Sequence, residues 1–322
     1  MKWLVTGGAG YIGSHTVHTL LRRGHEVVVI DNLSSGRVDF LPRGVEIFQG
    51  SILDDSVLDR ALRAEGLDGV IHFAGYKFAG ESVLDPIHTY EQNVLGMMKV
   101  IHGMANHGIR NIIFSSSSAI YGDGGQGPFV ESQPKYPMSP YGESKLIGEW
   151  LLKDAEVAYG LKSASLRYFN VVGAREVGLY DTSPHGLFSL IFSALKAGNR
   201  PKIFGSDYPT PDGTCVRDYI PVGPLADVHV VAAEKLARGE VLESAYNLGT
   251  GTGHSVREVM RVMAEVTGVD FAPEFVARRP GDPPIVVASG ELAMRDLGWN
   301  PSPDLREMVR SAWEAFQGSQ NR

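Results

Sequence analysis

Val5-Thr6-Gly7-Gly8-Ala9-Gly10-Tyr11-Ile12-Gly13 joins a short strand-like run, Trp3–Thr6, to a helix-like one, Tyr11–Arg23. Gly7, Gly10 and Gly13 are spaced one residue wider than the dinucleotide-binding G-x-G-x-x-G pattern. Glycines in such a turn serve three ends: a tight bend, close approach of backbone to a pyrophosphate, and close packing of helix on strand. The helix N-terminus then offers unpaired N–H groups and a partial positive charge to the phosphates. A glycine-rich turn alone serves structure as often as function. Asp31 changes the odds, because it ends the run Glu26–Asp31 where a ribose-binding acid belongs. Its carboxylate can accept both ribose hydroxyls and would repel the extra phosphate of NADP. Asn32, not an arginine, follows it. The expected cofactor is therefore NAD.

From that turn the alternation continues. Strand-like runs at Val45–Gln49, Gly69–Phe73, Asn111–Ser116 and Ser163–Tyr168 are separated by helix-like segments at Ser56–Ala64, Asp85–His107 and Tyr141–Tyr159. Strands rich in Val, Ile and Phe on both faces, with helices between them, predict an α/β protein built on a Rossmann-type, doubly wound parallel sheet. After about Asn170 the rhythm turns irregular. Gly173–Pro184 and Gly205–Gly213 read as functional loops, Leu187–Ala197, Val256–Thr267 and Asp304–Phe316 as helices, and Tyr246–Leu248 as a strand. The expected division gives residues 1–169 to the cofactor and 170–322 to a smaller C-terminal α/β substrate-binding lobe, with 225–250 able to return to the first sheet.

A chain of 322 residues, 43% hydrophobic and 21% charged, can bury a core without crosslinks, and its single cysteine, Cys215, rules out an internal disulfide. Such usage fits a reducing compartment. The net charge of −7 argues against nucleic acid as a partner, since phosphate neutralisation needs a concentrated basic surface. The sequence shows neither a basic leader with a long apolar stretch nor a run of roughly 20 apolar residues able to span a bilayer. A cytoplasmic protein without membrane association and without a bound metal is expected.

Tyr141 and Lys145 form a Y-x-x-x-K pair, which on a helix points phenol and ammonium into one site. Free tyrosine, with a pKa near 10, is a poor base at neutral pH. A neighbouring lysine and a positive nicotinamide would favour the phenolate and lower that pKa. Such pairs are common on surface helices and usually mean nothing; here Ser115-Ser116-Ser117-Ser118 stands at the carboxyl end of a strand, where ligands bind in these sheets. A serine there can bond the reacting hydroxyl and pass its proton toward Tyr141. Chemistry alone does not choose among the four.

The glycine turn, Asp31-Asn32-Leu33, His72-Phe73-Ala74-Gly75, Gly80-Glu81-Ser82-Val83, the serine run, Ser139-Pro140-Tyr141-Gly142 with Ser144-Lys145, and Leu166-Arg167-Tyr168-Phe169-Asn170 together resemble the UDP-glucose/UDP-galactose 4-epimerase family of the extended short-chain dehydrogenase/reductase superfamily. The similarity continues through Ile203-Phe204-Gly205, Asp207-Tyr208-Pro209-Thr210, Val216-Arg217-Asp218-Tyr219-Ile220 and Arg278-Arg279 with Gly281-Asp282, so it covers nearly the whole chain. The resemblance implies reversible epimerisation at C4 through a 4-keto intermediate on tightly held NAD. It makes Ser117, Tyr141 and Lys145 the catalytic trio. For NAD it implies Gly7, Gly10, Tyr11, Ile12, Gly13, Asp31, Asn32, Ser51, Ile52, Phe73, Ala74, Gly75, Lys77, Asn93, Ser115 and Phe169, together with Tyr141 and Lys145. For the UDP-sugar it implies Lys77, Ser117, Tyr141, Asn170, Leu187, Phe204, Arg217, Tyr219, Arg279, Asp282 and Val286. In that assignment Phe204 packs on uracil, Arg217 and Arg279 pair the diphosphate, and Asp282 accepts ribose hydroxyls. A homodimer through the Asp85–His107 and Tyr141–Tyr159 helices is also implied.

Some positions depart from that pattern. Ser51 stands where the family has an adenine-contacting aspartate, His185-Gly186 where an asparagine precedes Leu187, and the loop Tyr180–Pro184 is shorter. Pro221 and Pro224 follow the Arg217-Asp218-Tyr219 motif. Val286 replaces a large tyrosine found in some members, leaving room for an N-acetyl group and hence for UDP-GlcNAc and UDP-GalNAc. Competing readings are another NAD-dependent nucleotide-sugar epimerase or dehydrogenase on the same scaffold, and a non-catalytic NAD-binding regulator. A 4,6-dehydratase needs an added acid–base pair, usually Asp–Glu beside the catalytic threonine, and Ser117-Ser118-Ala119 offers no carboxylate.

Overall fold

The structure, a computed structural model, describes residues 1–122, 127–279 and 282–320. Six strands follow in turn through the first half: β1 (Lys2–Thr6), β2 (Glu26–Asp31), β3 (Glu46–Gln49), β4 (Leu67–His72), β5 (Asn111–Ser117) and β6 (Lys162–Tyr168). β7 (Asn170–Val172), β8 (Lys202–Phe204) and β9 (Val216–Pro221) leave that sheet, β10 (Ala245–Leu248) rejoins it, and β11 (Gly253–Ser255), β12 (Glu274–Val276) and β13 (Ile285–Val286) leave it again. The main sheet runs β10-β6-β5-β4-β1-β2-β3, parallel throughout. Its order reverses at β1, which lies between β2 and β4. That switch point opens a crevice at the carboxyl ends of the strands.

The helices are α1 (Tyr11–Arg22), α2 (Asp55–Leu62), α3 (Ala79–Leu84), α4 (Pro86–Tyr90), α5 (Gly96–Asn106), α6 (Pro140–Tyr159), α7 (Leu187–Lys196), α8 (Val222–Ala237), α9 (Val256–Thr267), α10 (Glu291–Leu297) and α11 (Leu305–Gln320). α2, α5 and α6 cover one face of the main sheet, burying Leu58, Met97, Val100 and Leu152 against Leu4, Val70, Ile112 and Phe114. α1 and α8 cover the other, where Val17, Leu20, Leu225 and Val228 meet Trp3, Val29, Ile113 and Leu166, and Leu297 and Trp299 join that core. A third core, with Phe188, Phe192, Ile203, Val259, Met263 and Val309, holds the second lobe. There β9 is flanked by antiparallel β11 and parallel β13 and β7, while β8 pairs with β12.

The sequence reading names no element at β7 to β9, β11 to β13, α3 or α10, and two further elements differ from the expectation. The segment read as one helix over Asp85–His107 is α4, one π-helical turn at Glu91–Leu95, and α5. Each inserted residue of a π turn widens the helix locally, and hydrophobic periodicity does not register it. α8 was not foreseen as a helix because Pro221 and Pro224 bracket its start. Pro224 lies in the first turn, where no intrahelical N–H bond is lost. β4 ends at His72, so Phe73 stands free of the strand at the crevice. Among the described residues no helix is long and apolar enough to cross a membrane.

Candidate active site

The carboxyl ends of the main strands and the second lobe enclose a cleft of about 1710 Å³. Single small-molecule sites usually measure ~300–1,000 Å³, so this one has room for more than one ligand. Gly7, Gly10, Tyr11, Ile12, Gly13, Asp31, Asn32, Ser51, Ile52, Phe73, Ala74, Gly75, Lys77 and Phe169 all line it. Two glycines are required here. Gly7 has φ +69°, and a Cβ on it would stand 2.7 Å from the Ala74 nitrogen; one on Gly13 would stand 2.2 Å from the Gly7 carbonyl. The turn thus keeps its backbone bare at the entrance to α1.

Asp31 is buried and accepts from the Ala9 N–H at 2.9 Å and the Leu33 N–H at 2.8 Å. Burial pushes its carboxyl above the ordinary range, and the two N–H bonds offset this only in part. Leu33 adopts φ 59°, the only positive φ outside glycine among the described residues, and so turns its N–H back toward Asp31. Ser51 uses its hydroxyl to accept from the Leu53 N–H at 3.1 Å, inside its own turn. Asn93 does not reach the cleft wall. From the π turn its side chain accepts from the Tyr76 N–H at 2.6 Å and donates to the Tyr76 carbonyl at 3.0 Å and to Ser144 Oγ at 2.8 Å. It holds the Gly75–Lys77 loop from behind.

The serine run separates by strand alternation. Ser117 hydrogen-bonds the phenol of Tyr141, although it lies just off the cleft wall. The Ser115 hydroxyl bonds the Tyr168 phenol, and Ser116 turns the other way, donating to Glu149 at 2.6 Å. Lys145 Nζ donates to the Ser115 carbonyl at 2.8 Å and sits 5.8 Å from the centre of the Tyr141 ring. Burial pushes the Lys145 pKa down to about 8. Burial also raises the Tyr141 pKa, and the Ser117 hydrogen bond only partly offsets this. The expected lowering of the phenol pKa is therefore not a property of the protein groups alone, since burial outweighs them. His72, stacked on Phe114, is held neutral by burial and by the Lys145 charge, its pKa lowered to about 3.

Across the cleft stand Asn170, Leu187 at the start of α7, Phe204, Arg217, Tyr219, Arg279 and Asp282. Arg217 and Tyr219 face inward from β9. Between them Asp218 turns away and accepts from Thr250 Oγ1 at 2.5 Å and the Ala288 N–H at 3.2 Å. Arg217 pairs with Asp282 at 2.6 Å, and the Arg279 guanidinium lies 3.9 Å from the centre of the Phe204 ring. Arg278 is distinguished from its neighbour: it pairs with Asp207 at 2.6 Å and covers Tyr208. Val286 is set behind this wall, beside Arg217 in the β13–β9 ladder. Gly281 lies outside the described residues.

The sequence reading missed several cleft residues. Tyr168, Tyr180, Asp181 and His185 line it along with Tyr76, Phe78 and Glu81. Residues 180–185 form a strap tied at both ends. Tyr180 packs edge-on against Phe40 at 5.6 Å and Thr182 Oγ1 donates to the Ser35 carbonyl at 3.3 Å, while His185 pairs with Glu81 at 2.6 Å and packs on Phe78. Turn residues marked this loop in the sequence, but its partners lie in a different lobe, and no local signal names them.

A dinucleotide crevice that opens onto a buried phenol, its serine and its lysine defines an enzyme of the short-chain dehydrogenase/reductase class. The chain belongs to the NAD dependent epimerase/dehydratase family, whose model matches residues 3–249. It is 45% identical over 318 residues to a UDP-glucose 4-epimerase of Halalkalibacterium halodurans, covering 97% of this chain and 95% of that one. The crystal structure of UDP-glucose 4-epimerase from Brucella ovis in complex with NAD superposes with a TM-score of 0.93 at 39% identity, covering 99% and 98% of the two chains. The UDP-Glc/GlcNAc 4-epimerase from Campylobacter jejuni superposes with a TM-score of 0.83 at 35% identity, covering 100% and 99%.

Proposed function

We propose that the protein interconverts UDP-galactose and UDP-glucose by inverting C4 of the sugar, with NAD retained in the crevice between turnovers. The observation that carries this reading is the placement of Ser117, Tyr141 and Lys145 where the crevice meets the wall of Phe204, Arg217, Arg279 and Asp282. The residues fit NAD. Gly7 and Gly13 leave backbone open for a pyrophosphate, α1 points its N-terminus there, and the Asp31 carboxylate lies on the wall for a ribose. Bound there, NAD supplies the hydride acceptor for C4, then its donor, and a positive ring that favours the Tyr141 phenolate.

The protein's own groups do the rest. Tyr141 takes the proton of the C4 hydroxyl, with Ser117 as the hydrogen-bonded relay. Lys145 holds its charge close to the phenol and is itself held by the Ser115 carbonyl. On the far wall Arg217 leaves Asp282 and Arg279 leaves the Phe204 face to pair the diphosphate, which frees Phe204 to pack on uracil and Asp282 to accept ribose hydroxyls. Binding energy is thereby placed on the nucleotide, and the sugar, held loosely, would be free to turn as the 4-keto form and present its other face to the crevice. The reading extends to UDP-GlcNAc and UDP-GalNAc on the small side chain at Val286, although it stands behind the cleft wall beside Arg217, and the likeness to a UDP-Glc/GlcNAc 4-epimerase supports it; undetectable turnover of both beside good turnover of UDP-galactose removes that extension.

The proposal also divides the labour: residues 1–169 with 225–250 hold NAD, and 170–322 otherwise hold the nucleotide sugar. It places the protein in the cytoplasm as a homodimer, supported by the exposed apolar side chains of Leu84, Ile87, Met98 and Trp150 on neighbouring helices. The test is incubation with UDP-galactose and no added cofactor, followed by proton NMR. Appearance of UDP-glucose without net redox change is expected, and Tyr141→Phe lowers the rate by about 10²–10⁴-fold. No conversion even with NAD supplied overturns the reading.

A further inference from the structure

Behind the trio lies a buried ion pair that the chemistry above does not use. Arg167 of β6 and Glu149 of α6 meet through two hydrogen bonds, Nη2 to Oε2 at 2.6 Å and Nε to Oε1 at 2.8 Å, with side chains only 5% and 11% exposed. Ser116 donates to the same Oε1 at 2.6 Å. Arg167 Nη1 donates to the Tyr121 hydroxyl at 2.7 Å, which in turn donates to Asn247 of β10 at 2.7 Å. Four elements, α6, β5, β6 and β10, are thus joined at one point.

Position gives the pair its meaning. Glu149 follows Lys145 by one helical turn and Tyr141 by two, so all three lie along one stripe of α6. Ser116 stands between Ser115, whose carbonyl holds Lys145, and Ser117, which bonds Tyr141. Clamping Ser116 to the third turn of that stripe fixes the strand and the helix in register where both carry reacting groups. Stability alone gives no reason to keep such a pair, since well-packed apolar residues in place of a buried ion pair are often neutral or stabilising.

We propose that Glu149, Arg167 and Ser116 are positioning residues for the reaction, holding Ser117 and Lys145 in line with the Tyr141 phenol. The inference rests on the catalytic assignment given above. Misplacement of reacting groups by about 1 Å costs as much as about 10²-fold in rate, which sets the scale of the effect.

Ser116→Ala removes one hydrogen bond and nothing bulky. It is expected to lower kcat about 5- to 10-fold with KM for UDP-galactose within about two-fold of the parent. Glu149→Met combined with Arg167→Met deletes the pair while keeping the site filled. Its melting temperature is expected to stay near the parent's while kcat falls about 10- to 100-fold. A purely structural pair predicts the opposite, with kcat recovering wherever the melting temperature does. Hydrogen exchange of the β5 peptide, which needs no turnover, is expected to quicken at Ser115–Ser117 in Ser116→Ala. Parent kcat in Ser116→Ala with unchanged exchange overturns the proposal. A parent protein that turns over neither sugar nucleotide overturns the functional reading instead, and the exchange comparison still decides whether the clamp exists.

Discussion

Burial acts on both members of the Tyr141–Lys145 pair, raising the phenol pKa and lowering that of the ammonium to about 8. Two predictions follow from the lysine. Its charge supports the phenolate only while it stays protonated, so kcat/KM is expected to fall as pH rises through about 8, and Lys145→Arg, which stays charged, loses that limb. For stability the sign is set by a folded-state pKa below the ordinary 10.5. Between the two values the unfolded chain binds more protons, so stability rises with pH through that window. Lys145→Met is therefore expected to melt higher than the parent at pH 7 and to lose this advantage by about pH 10, checked by calorimetry at both pH values. At this scale the sequence named Tyr141, Lys145 and Asp31 because their chemistry is written in residue type and spacing. Residue chemistry left the four serines unranked and resemblance alone chose Ser117; the alternation of β5 against Tyr141, Glu149 and Tyr168 supplies the physical sorting of Ser115 to Ser117. Asn93 was legible only by resemblance, since its partner is the backbone of Tyr76, which carries no residue signature.

Among the elements, α9 and the π turn show how local structure supports the cleft. Ser255 caps α9 by accepting from the Glu258 N–H at 3.0 Å and also donates to Asp212 at 2.5 Å. Ser255→Ala is expected to cost about 1 kcal/mol or somewhat more, measured by urea unfolding. Because the helix start also bonds the residue just before β9, through the Val256 N–H and the Cys215 carbonyl at 2.9 Å, KM for the nucleotide sugar should rise with little change in kcat. Asn93→Ala leaves the Tyr76 N–H and carbonyl without their partner and loosens Gly75–Lys77. NAD retention through gel filtration is expected to drop about 10-fold, read from the cofactor released on denaturation. The strands of the main sheet and most of the longer helices could be placed from apolar runs and turn residues, usually within a residue or two, whereas the short strands of the second lobe could not. The π turn could not, because Gly96, packed against Ile52 so closely that a Cβ would stand 2.7 Å from its Cδ1, fits a plain helix equally well.

For the molecule as a whole, the parallel sheet of β1 to β6 was legible because a helix-like segment follows most of these strands and returns the chain, β2 being the exception with only a short 3-10 turn before β3. The return of β10 was allowed for in the sequence, but that of Leu297 and Trp299 was not, since long-range packing leaves no local period. The proposed homodimer predicts a sedimentation mass of twice the 34.9 kDa chain, and Trp150→Glu, at a side chain 57% exposed, is expected to shift it to the monomer at micromolar concentration. The strap over residues 180–185 has a further consequence. Tied to Ser35 and Phe40 on one side and to Glu81 and Phe78 on the other, it is expected to make exchange of a bound cofactor slow beside the reaction. A molecule whose keto sugar escapes early is then stranded with a reduced cofactor it cannot swap. Such a catalyst ages by use and not by the clock: its loss of activity counts completed cycles, and a little-worked sample outlasts a busy one of the same age.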